Sequence, residues 1–202
     1  MGTRLRYERV IWDFDGVLVD SRLEAWRAAS ELLALLGITV SVRSQDEFRR
    51  FFTGGDLLSD PDRATLRATH RLIMRSRADL LDPHPCLALV ERLSVPSEIM
   101  TSGLEAFAKS VLGDREKLFA AIRGNETGPK GSLLQAAPPA SIFVTDTIGD
   151  IARCRDRGLD VIAVGWGYDS LPALRNARPD YLVESPIQLE SLFKGFNLLD
   201  DV

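Results

Sequence analysis

The chain has 202 residues, with 25 Lys and Arg against 29 Asp and Glu, so its formal net charge is −4. Hydrophobic residues make up 45% and charged residues 27% of the chain, which excludes a disordered protein and indicates one globular core with room for an insertion. The mild acidity argues against nucleic acid or an anionic membrane as the main partner, and no apolar run approaches the ~20 residues needed to span a bilayer. An acidic segment follows the amino terminus too closely for a secretory signal, so we expect a cytoplasmic protein.

The first part of the chain is predicted to be one strand followed only by helices. Residues 8–12 are a short apolar run that ends at Asp13-Phe14-Asp15-Gly16, which is typical of a buried strand leaving a sheet. Three helices are predicted after it, over 22–37, 44–52 and 61–81. No strand signal stands out between residues 17 and 82.

Strands and helices alternate from residue 86 onward. Strands are predicted at 97–101, 118–122, 142–146, 160–164 and 180–183. Helices are predicted at 86–93, 103–112, 131–137, 149–157 and 187–194. This alternation predicts an α/β fold with a parallel sheet. We expect a Rossmann-like three-layer core with a central sheet of order 3-2-1-4-5. Residues 1–16 and 84–202 would form the core, and residues 17–83 an inserted helical segment.

Residues that could carry chemistry cluster at the carboxyl ends of the predicted strands, where α/β sheets bind their ligands. They are Asp13 and Asp15 after the first strand, Thr101 and Ser102 after the second, Lys130 near the fourth, and Asp146 and Asp150 after it. Crowded carboxylates favour a bound cation, and oxygen ligands favour a hard one such as Mg²⁺. A lysine and hydroxyl groups nearby could bind an anion. Together they indicate phosphoryl transfer, in which an aspartate can be the nucleophile.

The same residues resemble the motifs of a known family, the haloacid dehalogenase superfamily in its phosphatase form. The segment VIWDFDGVLVDS (residues 10–21) is similar to its first motif, Thr101 to its second, Lys130 to its third and DTIGDI (146–151) to its fourth. VGWGY (164–168) and PDYLV (179–183) resemble the phosphoglycolate-phosphatase branch. The resemblance covers roughly residues 8–20 and 86–190, and it implies that residues 17–83 form the helical cap of the small-cap members.

The resemblance also implies a role for each matched residue. Asp13 would be the nucleophile and Asp15 the general acid and base. Thr101 and the Ser102 amide would hold the phosphoryl group, and Lys130 would bridge it to the nucleophile. The Mg²⁺ ligands would be Asp13, the main-chain carbonyl of Asp15, Asp146 and, directly or through water, Asp150. Two positions depart from the family pattern: Thr145 stands where glycine is common, and Gly131 follows Lys130 in place of proline.

The expected function is therefore a Mg²⁺-dependent phosphatase of small phosphorylated metabolites, acting as a monomer or homodimer. Three alternatives stay open at this point: a phosphomutase, a signalling domain that accepts phosphate without turnover, and a silent binding module. Asp150 could also be only a first-turn charge of its helix. The chain does not identify the substrate, and we expect the loop around 49–56 to set selectivity.

An arginine stripe occupies the third predicted helix. Arg63, Arg67, Arg71 and Arg75 recur every four residues, which predicts a solvated face near aspartates of the same helix. The alternative is that one of them, or Arg49 or Arg50, binds a substrate anion, because arginine suits anion recognition.

Overall fold

The computed structural model describes residues 6–52 and 58–200, and a parallel β-sheet forms its centre. The strands are β1 (Arg9–Trp12), β2 (Ser97–Met100), β3 (Ala121–Arg123), β4 (Ser141–Thr145), β5 (Asp160–Val164) and β6 (Tyr181–Val183). They lie in the order β3-β2-β1-β4-β5-β6, and each is parallel to its neighbours. The predicted α/β fold and order 3-2-1-4-5 are confirmed, and β6 extends the sheet beside β5.

The central strands are buried on both faces, which explains why they are continuous apolar runs in the sequence. Side chains of a strand alternate between faces, so Val10 and Trp12 belong to one buried cluster and Ile11 to another. The Ile11 face is covered by α6 (Lys130–Gln135), α7 (Ile148–Arg155) and α8 (Leu171–Ala177). The opposite face is covered by α4 (Leu87–Val90), α5 (Glu105–Leu112) and α9 (Pro186–Gly195).

Residues 17–83, which we call the helical insert, connect β1 to β2. Its helices are α1 (Arg22–Leu35), α2 (Gln45–Phe52) and α3 (Asp60–Ser76), followed by a 3₁₀ turn at Ala78–Leu80. They enclose a small apolar core of their own that includes Leu33, Phe52 and Leu66. The two ends of the insert lie side by side, because Val19 forms a β-bridge with Pro83 and the His84 amide donates to the Leu18 carbonyl at 2.7 Å.

The sequence prediction and the structure differ at several elements. A strand was expected at 118–122, but a 3₁₀ segment (Gly113–Leu118) comes first and β3 begins only at Ala121. Helix α8 was not predicted, because its seven residues are too few to give a clear periodic signal and only Leu174 among them is buried. The helix expected over 86–93 is reduced to the short α4.

Residues 53–56 of the predicted selectivity loop lie outside the described residues. Within 6–52 and 58–200, no helix has the length and apolarity required to cross a membrane.

Candidate active site

The carboxyl ends of β1, β2 and β4 bring the predicted site residues to one edge of the sheet. Trp12 pairs with Ile99 on one side and Val144 on the other, so the residues that follow these strands leave the sheet together. The residues that line one cavity there include Asp13, Asp15, Thr101, Ser102, Lys130 and Asp150. Asp146 is fully buried and is not among the residues that line this cavity.

Lys130 joins two of the aspartates. Its Nζ lies 2.6 Å from Asp13 Oδ2 and 2.5 Å from Asp150 Oδ2. Asp150 also accepts from Arg153 at 2.6 Å through its other oxygen. The second oxygen of Asp13 accepts from the Phe14 amide at 2.8 Å. Both oxygens of Asp150 are thus bonded to cations. Asp13 has only one oxygen beside Lys130, and its side chain lines the cavity.

Asp146 is held by backbone rather than by side chains. Its Oδ2 accepts from the Tyr168 amide at 2.7 Å. A Cβ added at Gly16 would lie 2.0 Å from this oxygen, and one added at Gly167 would lie 2.2 Å from it. Gly16 also has a φ of +76°, a conformation that favours glycine. Both glycines therefore leave the space that the Asp146 carboxylate occupies.

The other oxygen of Asp146 is buried and has no hydrogen-bond partner among residues 6–52 and 58–200. A buried carboxylate oxygen without a donor is costly, so a cation at this point would satisfy it.

Asp15 is positioned by a pair of hydroxyls. The Ser21 hydroxyl donates to Asp15 Oδ1 at 2.6 Å, and the Tyr168 hydroxyl lies 3.0 Å from Ser21 Oγ. Tyr168 thus contacts Asp146 through its amide and approaches Asp15 through its side chain. The partial exposure of Asp15 leaves its carboxyl open to the cavity.

The loop after β2 brings Thr101, Ser102 and Gly103 to the same cavity. The Thr101 hydroxyl accepts from the Gly103 amide at 2.9 Å. A Cβ at Gly103 would come within 3.3 Å of both the Asp15 carboxylate and the Thr101 hydroxyl, so this glycine permits their close approach. Ser102 lines the cavity beside them.

Burial has the largest effect on the pKa values of these aspartates, and neighbouring charges then add to it or oppose it. Burial raises the pKa of Asp13 above its usual value, although Lys130 opposes this. Burial and then the charge of Asp13 raise the pKa of Asp146. Burial alone would raise the pKa of Asp150, but Lys130 and then Arg153 outweigh it, and the net pKa is lowered.

The four aspartates, which we call the acidic cluster, therefore exceed the cations that neutralise them. Its members are Asp13, Asp15, Asp146 and Asp150, and the cations bonded to them are Lys130 and Arg153. If all four were ionised, the cluster would carry two more negative charges than positive ones. This is the excess that one divalent cation would balance.

The residues present fit a hard divalent cation in part. Asp146 supplies an unpartnered buried oxygen, and Asp13 lies close enough to raise its pKa. Asp150 is already occupied by Lys130 and Arg153. Among the described residues, no group of three or more His, Cys, Asp or Glu side chains is arranged to hold a metal ion. A site here would therefore need main-chain oxygen or water beside the carboxylates, as Mg²⁺ commonly has.

The helical insert closes the cavity from the other side. The lining residues that it contributes include Gln45, Phe48, Arg49, Phe52, Arg67, His70, Arg71 and Met74. Arg49 forms an ion pair with the buried Asp169, which follows β5. The arginine stripe of α3 is divided: Arg67 and Arg71 line the cavity, whereas Arg75 is exposed.

Three residues of the site had no predicted role: Ser21, Gly167 and Tyr168. They belong to the segments that carry the family resemblance, and that membership is the signal that could have drawn attention to them. Their contacts join parts of the chain 147 residues apart, as for Ser21 and Tyr168, and such contacts have no local pattern.

This chain is similar to known proteins mainly in its structure and only over a short segment in its sequence. No family model matches the chain. A phosphoglycolate phosphatase from Synechococcus elongatus is 38% identical over 52 residues, and the match spans only 26% of this chain and 24% of that protein.

Two solved structures superpose on nearly the whole chain. A haloacid dehalogenase-like family hydrolase from Streptococcus pneumoniae has a TM-score of 0.73 and 23% identity, covering 93% of this chain and 99% of its own. A predicted phosphatase from Clostridium acetobutylicum has a TM-score of 0.77 and 19% identity, covering 94% and 99%. At these identities the likeness is one of fold. The resemblance given by the motifs is confirmed at that level, and the chain has the fold of the haloacid dehalogenase-like hydrolases.

Proposed function

We propose that this protein is a Mg²⁺-dependent phosphatase that hydrolyses small phosphomonoesters through an aspartyl-phosphate formed on Asp13. The observation that carries the proposal is the convergence of Asp13, Lys130 and Asp15 at one cavity, beside the buried unpartnered oxygen of Asp146. The phosphatase names of the fold relatives and of the short Synechococcus match support the same reaction.

Asp13 would act as the nucleophile. Its carboxylate reaches the cavity while Lys130, at 2.6 Å, holds it in place and can neutralise a phosphoryl oxygen. An oxygen of Asp13 attacks phosphorus, and the bond from phosphorus to the ester oxygen breaks. Thr101 and the Ser102 amide would hold the phosphoryl group beside it.

Asp15 would move the proton in both halves of the reaction. As a carboxylic acid it donates to the leaving oxygen, and as a carboxylate it then accepts a proton from the water that attacks the aspartyl-phosphate. The raised pKa of Asp15, caused chiefly by burial, favours the acid form before the first step. Ser21 and Tyr168 would keep its carboxyl in position for both transfers.

Asp13, the main-chain carbonyl of Asp15 and Asp146 would hold Mg²⁺. Asp150 would join through a water, because both of its oxygens are bonded to Lys130 and Arg153. The cation would supply charge neutralisation for the phosphoryl oxygens.

We also propose that the helical insert, residues 17–83, is a cap over a core of residues 1–16 and 84–202. It lines the cavity opposite the acidic cluster, so its closure would exclude water while the phosphoryl group is transferred. Its paired ends at Leu18–Val19 and Pro83–His84 are the expected hinge.

The experiment measures phosphate released from an aryl phosphate with Mg²⁺ present. Asp13→Asn should lower kcat by about a thousandfold or more, because the nucleophile is lost. Asp20→Asn is the matched control: Asp20 follows the same strand but is exposed and pairs only with Arg22 among the described residues, so its kcat should stay near the wild-type value. EDTA should abolish release, and added Mg²⁺ should restore it. Undiminished turnover by Asp13→Asn would contradict the proposal.

Phosphoglycolate is the first metabolite to test, because the Synechococcus relative bears its name. A screen of metabolite phosphates, scored for free phosphate and for isomerised sugar phosphate, separates hydrolysis from a mutase reaction.

A further inference from the structure

Asp169, in the segment after β5, carries a buried charge that the proposed reaction does not use. Its side chain is only 3% exposed. Its Oδ2 accepts from two groups, the Ile148 amide at 2.8 Å and the Arg49 guanidinium. The Asp169 amide donates to the Asp146 carbonyl at 3.3 Å. This residue therefore joins the helical insert to the core beside the acidic cluster.

The two donors to the Asp169 carboxylate belong to different parts of the molecule. Arg49 lies in α2 of the insert and lines the cavity, whereas Ile148 is the first residue of α7. The first turn of α7 also carries Asp150, which binds Lys130 at 2.5 Å. A series of bonded residues thus leads from the insert through Asp169 and the start of α7 to Lys130.

The charge of Asp169 makes its position depend on Arg49. A buried carboxylate is costly unless a cation and further donors satisfy it. Within residues 6–52 and 58–200, Arg49 is the one cation that forms an ion pair with Asp169. If Arg49 were withdrawn, Asp169 would keep the Ile148 amide but lose its counter-charge. The segment after β5 would then shift toward water and loosen the start of α7.

We infer that Asp169 is a positioning residue that makes the placement of Asp150 depend on how the helical insert is seated. With Arg49 in place, Asp169 holds the amino-terminal end of α7, and Asp150 in turn holds Lys130. The predicted effect on rate rests on the proposed phosphatase function. The inference adds to it a residue outside the acidic cluster on which that rate depends.

The test uses the fact that the loss of a buried counter-charge is reversed by neutralising the remaining charge. Arg49→Gln should lower kcat for an aryl phosphate about tenfold, because Asp169 is left buried and unpaired. Adding Asp169→Asn should restore kcat to within about threefold of the wild type, since the neutral amide oxygen still accepts from Ile148. If Arg49 acted only by binding substrate, the double variant would stay as slow as Arg49→Gln.

Hydrogen exchange provides a readout that does not depend on activity. Exchange of the amides of residues 148–151 should be about tenfold faster in Arg49→Gln and near the wild-type rate in Arg49→Gln/Asp169→Asn. Asp46→Asn is the matched control, because Asp46 pairs with the same arginine at 3.6 Å but is 96% exposed. Its kcat and its exchange should both keep the wild-type values.

The outcomes separate this inference from the proposed function. Unchanged exchange at the start of α7 in Arg49→Gln would overturn the inference, and so would a double variant as slow as Arg49→Gln. If the wild type releases no phosphate, the phosphatase function fails, and hydrogen exchange alone decides the role of Asp169. Should Arg49→Gln not fold, a folded double variant is the expected rescue, and an unfolded one overturns the inference.

Discussion

The space around Asp146 is set by the main chain that packs against it. Gly16 and Gly167 leave no room for even a methyl group, and the Tyr168 amide fixes one carboxylate oxygen. The other oxygen is thereby held unpartnered in the interior. A side chain at either glycine would have to displace the carboxylate or the loop that carries it.

Replacing Gly167 by alanine should therefore damage both stability and activity. The new Cβ would lie 2.1 Å from the Asp146 Cβ, which cannot rotate away. We expect the free energy of unfolding to fall by about 1–3 kcal/mol, as for overpacked sites, and phosphate release to fall with it. Urea denaturation and the aryl phosphate assay measure the two effects.

Gly195→Ala is the control, because nothing lies within 4 Å of a Cβ there and the residue ends α9. Its stability should stay within about 0.5 kcal/mol of the wild type. Equal behaviour of the two variants would show that Asp146 tolerates displacement.

At the level of single residues, the sequence predicts which side chains meet at the site but not how they contact one another. Asp13, Asp15, Thr101, Lys130 and Asp150 were expected at one crevice, and they line one cavity, because residues after parallel strands must meet at the same edge. Other features of the site depend on distances between remote segments, and the spacing of residues in the sequence does not give those distances. They are the pairing of Lys130 with Asp13 and Asp150, the unpartnered oxygen of Asp146 and the hydroxyls near Asp15. The chemical roles remain predictions.

The amino-terminal end of α7 carries both the helix cap and one of the site aspartates. Its amino-terminal cap is Thr147, whose hydroxyl accepts from the Asp150 amide at 3.4 Å, and Asp150 in the first turn binds Lys130. The amide of Ile148 donates to Asp169 at 2.8 Å, so the loop after β5 holds the same helix end. The placement of Asp150 therefore depends on how this helix begins.

Removing the cap tests that dependence. Thr147→Ala should lower the free energy of unfolding by about 1 kcal/mol and, by loosening Asp150, reduce kcat severalfold. Ser185 caps α9 in the same way, accepting from the Gln188 amide at 3.3 Å, and it lies outside the residues that line the cavity. Ser185→Ala should cost similar stability with no loss of kcat. Equal kcat in both variants would disconnect the cap from the site.

Helices and strands with a clear apolar pattern in the sequence were predicted correctly, whereas those with a weak pattern were not. The strands around Asp13 and Asp146 are buried on both faces and appear as apolar runs, so their positions were correct within two residues. β3 has no fully buried residue and follows a 3₁₀ segment, which explains its displaced prediction. The first insert helix was predicted from its apolar spacing, and in the structure Leu33 packs in the small core of the insert. The second was predicted from the break after it, and the third from Pro61, which lies in its first turn.

At the scale of the whole molecule, the insert shares an apolar cluster with the core and also meets it through charged and polar contacts. Arg49 reaches Asp169, Arg71 reaches the Ser102 carbonyl, and Arg22 donates to the Gly167 carbonyl at 2.8 Å. The core side of this seam carries the excess negative charge of the acidic cluster. Occupation of that cluster by a cation should therefore stabilise the entire fold.

Thermal unfolding measures this effect. A large excess of MgCl₂ should raise the Tm of the wild type, since a ligand that binds only the folded state stabilises it. Asp146→Asn should lose the response, because the unpartnered carboxylate oxygen no longer carries charge. Asp114→Asn should keep it, since Asp114 is exposed on the 3₁₀ segment and pairs with Lys117. A Tm unaffected by Mg²⁺ in the wild type would remove the support for a cation at this place.

The adjacent ends of the helical insert have a consequence for how such a protein can diversify. Val19 and Pro83 are bridged, so the chain departs from and rejoins the sheet side at one narrow neck. A different helical unit spliced between these two residues need only match that neck, and the β1, β2 and β4 termini would keep their arrangement. The reaction, which depends on the core, and the selectivity, which depends on the insert, can therefore change independently of each other.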